Sequence, residues 1–222
     1  MVDLRRVWDP EADRDQTLGA CQLNRRSLRR LQDGAWLNDE LVNAWTALLK
    51  PRQAVVFSSF TLDYLLSATT PAEAEHRRTR TLRRQCGHFQ QGATPLLLFP
   101  VNAAKHWVLV VASTATRQLY LYDSLEEDAA PFAAHVSAAI GLAKHFLGDC
   151  DKESVWRVVD PNSFSPEWRP GLQRNGHDCG LLLCLHAKAV ALRKPVEQVA
   201  AHHSLIFRKL LLLGLLKGQL LF

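Results

Sequence analysis

Three short β-rich runs follow one another in the middle of the chain, and helical patterns lie on both sides of them. The runs cover residues 96–99, 107–112 and 118–122 and are rich in the apolar, branched and aromatic residues that favour buried strands. Before them, Asn38 can cap a helix whose apolar residues share one face. Blocks of strands and helices without strict β-α alternation predict the α+β class, with a small, largely antiparallel central sheet flanked by N-terminal and C-terminal helices.

The neighbouring segments predict how this sheet is bounded. The prolines that flank the first run predict that its strand ends at Phe99, and the turn-forming residues 113–117 predict a hairpin between the other two runs. Residues 130–147 predict a helix, and residues 155–159 predict a further strand. A nearly all-apolar helix is expected over residues 179–193, and a leucine-rich helix follows it near the end of the sequence.

The chain has 222 residues, no internal repeat and no Gly/Ser linker, so we expect a lead-in over residues 1–21 and a single domain over residues 22–222. Its five cysteines, without a Cys-x-x-Cys pair, argue against a disulfide framework or a zinc ribbon. They favour an intracellular, reducing compartment, the nucleus or the cytoplasm, with delivery of a secreted effector into a host cell as the alternative. The first residues lack a signal-peptide core, and basic residues interrupt the apolar stretch 205–222, so we expect neither secretion nor a membrane span.

Arginines form two clusters, at residues 25–30 and 77–84, in a chain with a formal net charge of +5. Such clusters can bind nucleic acid, anionic lipid or an acidic protein, but solvated helix faces are the more common explanation. Aromatic residues do not interleave with either cluster, as they do in proteins that bind single-stranded nucleic acid. We therefore expect no nucleic-acid partner.

Cys179 lies where the polar, turn-forming residues 173–178 run directly into the apolar helix. A thiol at a helix N-terminus is favoured as the thiolate by the positive end of the helix dipole. Gly180 adds no side-chain bulk next to the sulfur, so a carbonyl group can approach it. A half-buried structural cysteine is the alternative, but the junction of loop and helix favours a nucleophile.

A thiolate nucleophile needs an imidazole as its base, and the imidazole needs an orienting acceptor. His106 precedes one strand of the predicted hairpin, and Asp123 follows the other. Pairing residues whose numbers sum to about 229 places the turn at Thr114 and Ala115, because antiparallel strands bring the start of one beside the end of the other. His106 and Asp123 then lie opposite each other within a residue or two, which predicts a pair that serves Cys179.

Acyl transfer also needs hydrogen-bond donors for the oxyanion that develops in the transition state. The side-chain amide of Gln173 and the backbone N–H of Cys179 are the candidates. His177 lies too close to Cys179 along the loop to be well placed as the base. The histidines and cysteines elsewhere lack further ligands at metal-binding spacing, so we expect no metal and no cofactor.

In this order, these residues resemble the signature of the ubiquitin-like-protein proteases. This family comprises the SUMO/sentrin-specific proteases and their deneddylase relatives, in the adenain-like clan of cysteine proteases. The motifs that carry the resemblance are His106-Trp107, Tyr122-Asp123-Ser124, Gln173-x-Asn175-Gly176-x-Asp178-Cys179-Gly180, Trp36-Leu37-Asn38-Asp39, Phe57-Ser58-Ser59-Phe60 and Phe207-Arg208-Lys209. The resemblance covers roughly residues 22–222.

The resemblance implies the adenain-like cysteine protease fold and a role for each catalytic candidate. Cys179 would be the nucleophile, and His106 would be the base and then the acid. Asp123 would orient the His106 ring, and Gln173 would donate to the oxyanion.

The resemblance also implies where a substrate binds. Trp36 and Trp107 would be a pair of indoles that roof a narrow tunnel for a Gly-Gly tail, although core packing is the alternative for Trp107. Flat walls of this kind admit residues without side chains and exclude nearly all others. Asp39, Asn175 and Gly176, which belong to the same motifs, are expected to contact the substrate.

The function implied by the resemblance is that of a monomeric cysteine isopeptidase or endopeptidase. It would cleave after the C-terminal Gly-Gly of a ubiquitin-like modifier, in processing and in deconjugation. SUMO is favoured because the segment 207–209 is like that of SUMO proteases and because basic patches suit an acidic partner. A deneddylase, acting on a Nedd-type modifier, is the nearest alternative. A bacterial effector that acts on ubiquitin with the same fold is another. An acetyltransferase of the same clan and an idle modifier-binding module are more distant alternatives, against which the intact Gln173 and the complete triad argue.

Overall fold

The computed structural model describes residues 5–9, 16–89, 93, 95–125, 129–148, 155–159, 163–164, 168–196 and 203–221. The α-helices in these ranges are α1 (Arg5–Trp8), α2 (Arg25–Leu28), α3 (Asp39–Leu48), α4 (Thr61–Leu66), α5 (Pro71–Cys86), α6 (Ala133–Leu147), α7 (Cys179–Ala191) and α8 (Ser204–Lys217). The strands are β1 (Thr17–Leu18), β2 (Leu23–Asn24), β3 (Ala54–Val56), β4 (Leu96–Ala103), β5 (His106–Ser113), β6 (Gln118–Tyr122) and β7 (Arg157–Val159).

Five strands form the central sheet, in the order β3-β4-β5-β6-β7, and β1 pairs with β2 separately. The pairs β4–β5 and β5–β6 are antiparallel, whereas the outer pairs β3–β4 and β6–β7 are parallel. Parallel neighbours require a crossover connection, and the helices α4 and α5 provide one while α6 provides the other. The predicted α+β class and the antiparallel centre of the sheet are confirmed.

Strand β4 does not end at Phe99, as the flanking prolines predicted, but continues through Pro100 to Ala103. The reason is the shortness of β3, whose last pairing joins Val56 to Leu98. Beyond Leu98 the strand is paired with β5 alone, and a strand that is paired on one side tolerates a proline.

A tight turn at Ala104 and Lys105 joins β4 to β5, and both residues have positive φ angles, of 51° and 63°. Ala103 pairs with His106 across it, which is the two-residue hairpin geometry that requires positive φ at both central positions. His106 is therefore the first residue of β5 rather than the residue before it, and the strand predicted over 107–112 is longer by one residue at each end.

The hairpin between β5 and β6 is offset by two residues from the predicted pairing. Val110 pairs with Leu121, and Ser113 pairs with Gln118, so the paired numbers sum to 231. The turn consists of the four residues 114–117, and pairing begins with Ser113 and Gln118 directly on either side of it. The length of the turn therefore sets this register. Asp123 directly follows the last residue of β6.

The sheet separates two hydrophobic cores, because alternate residues of its strands point to opposite faces. Leu98, Leu109 and Val111 join a core that includes residues of α3, α7 and α8. Val108 and Val110 join the other core, which includes residues of α4 and α6. Helix α7, whose first residue is Cys179, is thus packed against the centre of the sheet.

The helix predictions hold closely for α3 and α7. Asn38 caps α3 as predicted, since its Oδ1 accepts a hydrogen bond from the Leu41 N–H at 3.2 Å. Helix α7 ends at Ala191, two residues before the predicted end. The strand predicted over 155–159 is confined to β7, and the helix predicted over 130–147 begins with a 3₁₀ turn.

The first residues take part in the fold. Val7 is buried, and β1 pairs with β2 across residue 21; the boundary between residues 21 and 22 stays a prediction. Arg25, expected on a solvated helix face, is instead 2% exposed and donates to Gln16 Oε1 at 2.7 Å. In the described parts of the chain, no helix is long and apolar enough to cross a membrane.

Candidate active site

Cys179 is the first residue of α7 and is 3% exposed. Asp178 occupies the N-cap position without a side-chain capping bond, so its carboxylate does not take up the first N–H groups of the helix. These groups point toward the N-terminus of α7, where Cys179 lies. Gly180 follows, and a Cβ added there would come within 3.0 Å of Leu37 Cβ and 3.2 Å of Trp107 Cδ1. A glycine is therefore required for α7 to approach Trp107 as closely as it does.

His106 and Asp123 meet as the sequence predicted. Asp123 Oδ1 lies 2.6 Å from His106 Nε2, and the same oxygen accepts the Leu125 N–H at 2.9 Å. Both side chains are buried. Because Nε2 faces the carboxylate, Nδ1 is the ring nitrogen left for the thiol.

The ionisation of His106 reflects both of its neighbours. Burial lowers the pKa of His106, but the hydrogen bonds and charges of Asp123 and Cys179 outweigh it and raise the pKa to about 9. At neutral pH the ring is therefore protonated, so it can donate a proton from the nitrogen that faces Cys179.

Gln173 is half-buried and tied to the residue after Asp123. Its backbone N–H donates to the Ser124 carbonyl at 2.9 Å, and its Oε1 accepts from Ser124 Oγ at 2.8 Å. Its Nε2 donates to the Asn175 carbonyl at 2.7 Å. Local sequence patterns did not reveal this role of Ser124.

Asn175 organises the loop that precedes α7. Its Oδ1 accepts the backbone N–H groups of His177 and Asp178, each at 3.0 Å. Its Nδ2 donates to Asp178 Oδ2 at 2.8 Å. Asn175, expected to contact substrate, is thus occupied in holding the turn that presents Cys179.

The two tryptophans occupy different environments. Trp36 is 45% exposed, and its Nε1 donates to the Gly176 carbonyl at 2.7 Å. Trp107 is buried, and its Nε1 donates to the Leu37 carbonyl at 3.1 Å. Gly176 is exposed, and a Cβ added to it would contact nothing within 4 Å among the described residues. Trp36 and Gly176 therefore form an open surface beside the loop, and Trp107 packs beneath α7.

Asp39, the remaining predicted substrate contact, is half-buried at the start of α3. Its Oδ1 accepts from Ser59 Oγ at 3.1 Å, and Asn43 Oδ1 accepts the Ser59 N–H at 2.8 Å. Asp39 thus joins α3 to the residues that lead into α4, and it lies three residues after Trp36.

A cavity of about 610 Å³ lies elsewhere, against β6, β7 and the end of α7. Its described lining includes Tyr120, Phe164 and Trp168 but none of the residues expected to act on substrate. His186 closes this side of α7, where it accepts the Gly171 N–H at 3.0 Å, and burial lowers its pKa to about 4. His186 is therefore neutral and structural in this contact.

Comparison with known families gives one match that spans most of the chain. The family model described as "Ulp1 protease family, C-terminal catalytic domain" matches residues 35–211. These residues include Trp36, His106, Asp123, Gln173 and Cys179.

Several curated proteins are similar in sequence. Ubiquitin-like-specific protease ESD4 of Arabidopsis thaliana is 29% identical over 167 residues, which cover 70% of this chain and 32% of that protein. Sentrin-specific protease 2 of Homo sapiens is 29% identical over 214 residues, which cover 90% of this chain and 33% of that protein. The chain thus spans about a third of the length of the curated relatives it matches.

Two solved structures illustrate the similarity in fold. The C-terminal Ulp1 protease domain in complex with Smt3, the yeast orthologue of SUMO, has a TM-score of 0.74 and 17% identity, over 96% of this chain and 90% of that one. The Ulp1-like SUMO protease catalytic domain of Chaetomium thermophilum has a TM-score of 0.70 and 22% identity, over 98% of this chain and 88% of that one. The predicted protease fold is confirmed by these likenesses.

Proposed function

We propose, from the premise that this chain belongs to the Ulp1 protease family, that it is a cysteine protease which cleaves after the C-terminal Gly-Gly of a ubiquitin-like modifier. One observation carries the proposal. Nε2 of the buried His106 lies 2.6 Å from Asp123 Oδ1, and the side chain of Cys179, at the start of α7, helps to raise the pKa of the same ring by hydrogen bonding. A nucleophile, a base and an orienting acceptor at one place are what thiol-dependent acyl transfer requires.

In the proposed acylation step, the Cys179 thiolate attacks the carbonyl carbon of the last glycine. The carbonyl oxygen becomes an oxyanion, which the backbone N–H of Cys179 and the side-chain N–H of Gln173 stabilise. His106, protonated at Nδ1, gives that proton to the departing amine as the C–N bond breaks. Asp123 holds the ring through Nε2 throughout.

Deacylation reverses the direction of proton transfer. His106, whose Nδ1 no longer carries a proton, takes a proton at that atom from a water molecule that attacks the thioester. The C–S bond breaks, which releases the modifier as a carboxylic acid and regenerates the Cys179 thiolate beside the imidazolium. The new carboxylic acid then loses its proton to solvent. The proposed cycle uses groups of the protein chain and water, and it calls on neither a metal nor a cofactor.

The proposed substrate site begins at the open surface of Trp36 and Gly176. A flat indole beside a glycine accepts an extended tail without side chains, which is the chemistry of a Gly-Gly terminus. We propose SUMO as the modifier, in precursors and in conjugates. The names of the similar proteins support this choice, since they are called sentrin-specific or ubiquitin-like-specific proteases.

We further propose that the protein works as a monomer in a reducing compartment of the cell, the nucleus or the cytoplasm. The four described cysteines, Cys21, Cys86, Cys179 and Cys184, are all free thiols. The proposed reaction needs Cys179 reduced, because only a thiolate can attack.

The proposal is tested by labelling the protein with SUMO, Nedd-type and ubiquitin probes that carry a C-terminal electrophile. We expect SUMO to label the protein, Cys179→Ala to abolish labelling, and Cys21→Ala, which removes a partly exposed cysteine, to leave it unchanged. Cleavage of a SUMO precursor is then measured with His106→Gln as a second variant. Labelling that persists in Cys179→Ala, or no labelling by any of the probes, would contradict the proposal.

A further inference from the structure

Ser124 follows Asp123 directly and is 2% exposed. Both of its hydrogen bonds to Gln173 cross 49 residues of sequence. The Ser124 carbonyl accepts the Gln173 backbone N–H at 2.9 Å, and Ser124 Oγ donates to Gln173 Oε1 at 2.8 Å. Ser124, just after the end of β6, is thus hydrogen-bonded to both the backbone and the side chain of Gln173.

These contacts fix which end of the Gln173 amide points in which direction. The Asn175 carbonyl can only accept, so the amide atom 2.7 Å from it must be Nε2. The other amide atom is then Oε1, and the Ser124 hydroxyl must be the donor to it. The amide is held at both ends, and it cannot rotate without placing two acceptors against each other at Asn175.

This arrangement leaves one donor available. An amide nitrogen carries two N–H groups, and the Asn175 carbonyl takes one of them. Over the described ranges, the second N–H of Gln173 has no hydrogen-bond partner. With Oε1 occupied by Ser124, it is this N–H, and not the carbonyl oxygen, that is free to meet a developing negative charge.

We propose that Ser124 is a positioning residue, which orients the Gln173 amide for the oxyanion of the reaction. Asp123 and Ser124 are consecutive residues just after the end of β6. In this proposal Asp123 orients the base, His106, and Ser124 orients the oxyanion donor, Gln173. This inference rests on the proposed function, because an oriented donor matters only if an oxyanion forms.

The first experiment compares Ser124→Ala with Ser124→Thr, which keeps the hydroxyl, in hydrolysis of SUMO with a C-terminal fluorogenic amide. Loss of an entire oxyanion donor costs about 10²–10³ in kcat, so a misoriented donor should cost roughly tenfold or more. We expect Ser124→Ala to lower kcat with KM nearly unchanged, and Ser124→Thr to retain most of the activity. Ser113→Ala is the matched control, because Ser113 is a buried, hydrogen-bonded serine at the other end of the same hairpin.

The second experiment repeats Ser124→Ala in a Gln173→Ala background. If Ser124 acts only through Gln173, its removal there has no further effect on kcat, whereas independent contributions multiply. Equal losses in the two backgrounds would overturn the proposal, as would an unchanged kcat in Ser124→Ala. Melting temperatures of all variants identify any loss of folded protein.

A third measurement distinguishes a failure of this inference from a failure of the proposed function on which it rests. SUMO with a C-terminal bromoethyl group alkylates Cys179 by direct displacement, in which the C–S bond forms as bromide leaves and no oxyanion develops. We expect wild type and Ser124→Ala to react at the same rate with this probe. Slower alkylation of Ser124→Ala would overturn the orienting role, whereas absence of both alkylation and hydrolysis in the wild type would count against the proposed function itself.

Discussion

Arg208, on the last helix, donates two hydrogen bonds to one oxygen of Asp178, from Nε at 3.1 Å and from Nη2 at 2.7 Å. Its side chain is 0% exposed. The same guanidinium donates to the carbonyls of Arg30, Gln32 and His177. One buried side chain therefore joins α8 to the loop before Cys179 and to the segment that leads to Trp36.

Arg208→Met should destabilise the protein strongly. The change leaves the buried Asp178 carboxylate without its cation and three carbonyls without a donor. Breaking a buried ion pair by removing one partner typically costs about 3–5 kcal/mol. We expect a loss of this size in the free energy of unfolding, measured by urea denaturation. Lys209→Met, at the exposed neighbouring position, is the matched control, and equal stability of the two variants would contradict the expectation.

The sequence predicts those parts of the site that have local signals. The hairpin, its turn residues and the polar loop before an apolar helix are each recognisable within a few residues. They are sufficient to associate His106 with Asp123 and to single out Cys179. An error of two residues in register did not separate the pair, because a side chain reaches past its immediate cross-strand neighbour.

The remaining parts have no local signal. Ala104 and Lys105 adopt positive φ angles that neither residue favours, and the pairing of β4 with β5 on either side of them makes up for this cost. Arg208 looks in sequence like an interruption of an apolar helix, and Arg25 looks like part of a solvated cluster. The partners of Arg208 are far away in the chain, such as Asp178, 30 residues before it. A partner of Arg25, Gln16, is nine residues away and outside the helix that carries Arg25.

Trp36→Phe should separate activity from stability. The change keeps a flat ring on the surface but removes the donor to the Gly176 carbonyl. Because Trp36 is 45% exposed and its ring is kept as phenyl, we expect the free energy of unfolding to change by about 1 kcal/mol or less. The loop that presents Cys179 loses one of its attachments, the one at Gly176 beside the proposed substrate site, so kcat/KM for SUMO cleavage should fall by roughly tenfold to a hundredfold.

Trp107→Phe provides the contrast to Trp36→Phe. It leaves the buried Leu37 carbonyl without its donor and opens space beside Gly180, so we expect unfolding to become easier by about 1–3 kcal/mol. If the two tryptophan variants lost the same amount of stability, the difference in their environments would have no energetic consequence, which would contradict this interpretation.

Gly180→Ala should destabilise the chain although alanine is the better helix former. The new methyl group would lie 3.0 Å from Leu37 Cβ and 3.2 Å from Trp107 Cδ1. Overpacking costs about 1–3 kcal/mol and exceeds the gain in helix propensity of up to about 1 kcal/mol. Gly141→Ala in α6, where the nearest atom is an Arg78 side-chain nitrogen at 3.6 Å, should instead raise the melting temperature. Stabilisation by both changes would contradict the close approach of α7 to Trp107.

The pH profile of the reaction should depend on Asp123. Burial lowers the pKa of His106, but hydrogen bonding and charge from Asp123 and Cys179 raise it from 6.5 to about 9. The imidazolium thus stabilises the fold fully below about pH 6.5 and loses this contribution as the pH rises through about 9.

We expect kcat/KM to fall above pH 9 in the wild type and at lower pH in Asp123→Asn, since the asparagine no longer favours the charged ring. Asp63→Asn is the control, because exposed Asp63 makes a similar 2.9 Å contact with His135 on α6. An alkaline limb that stays in place in Asp123→Asn, or that moves equally in Asp63→Asn, would show that Asp123 does not set the ionisation of His106.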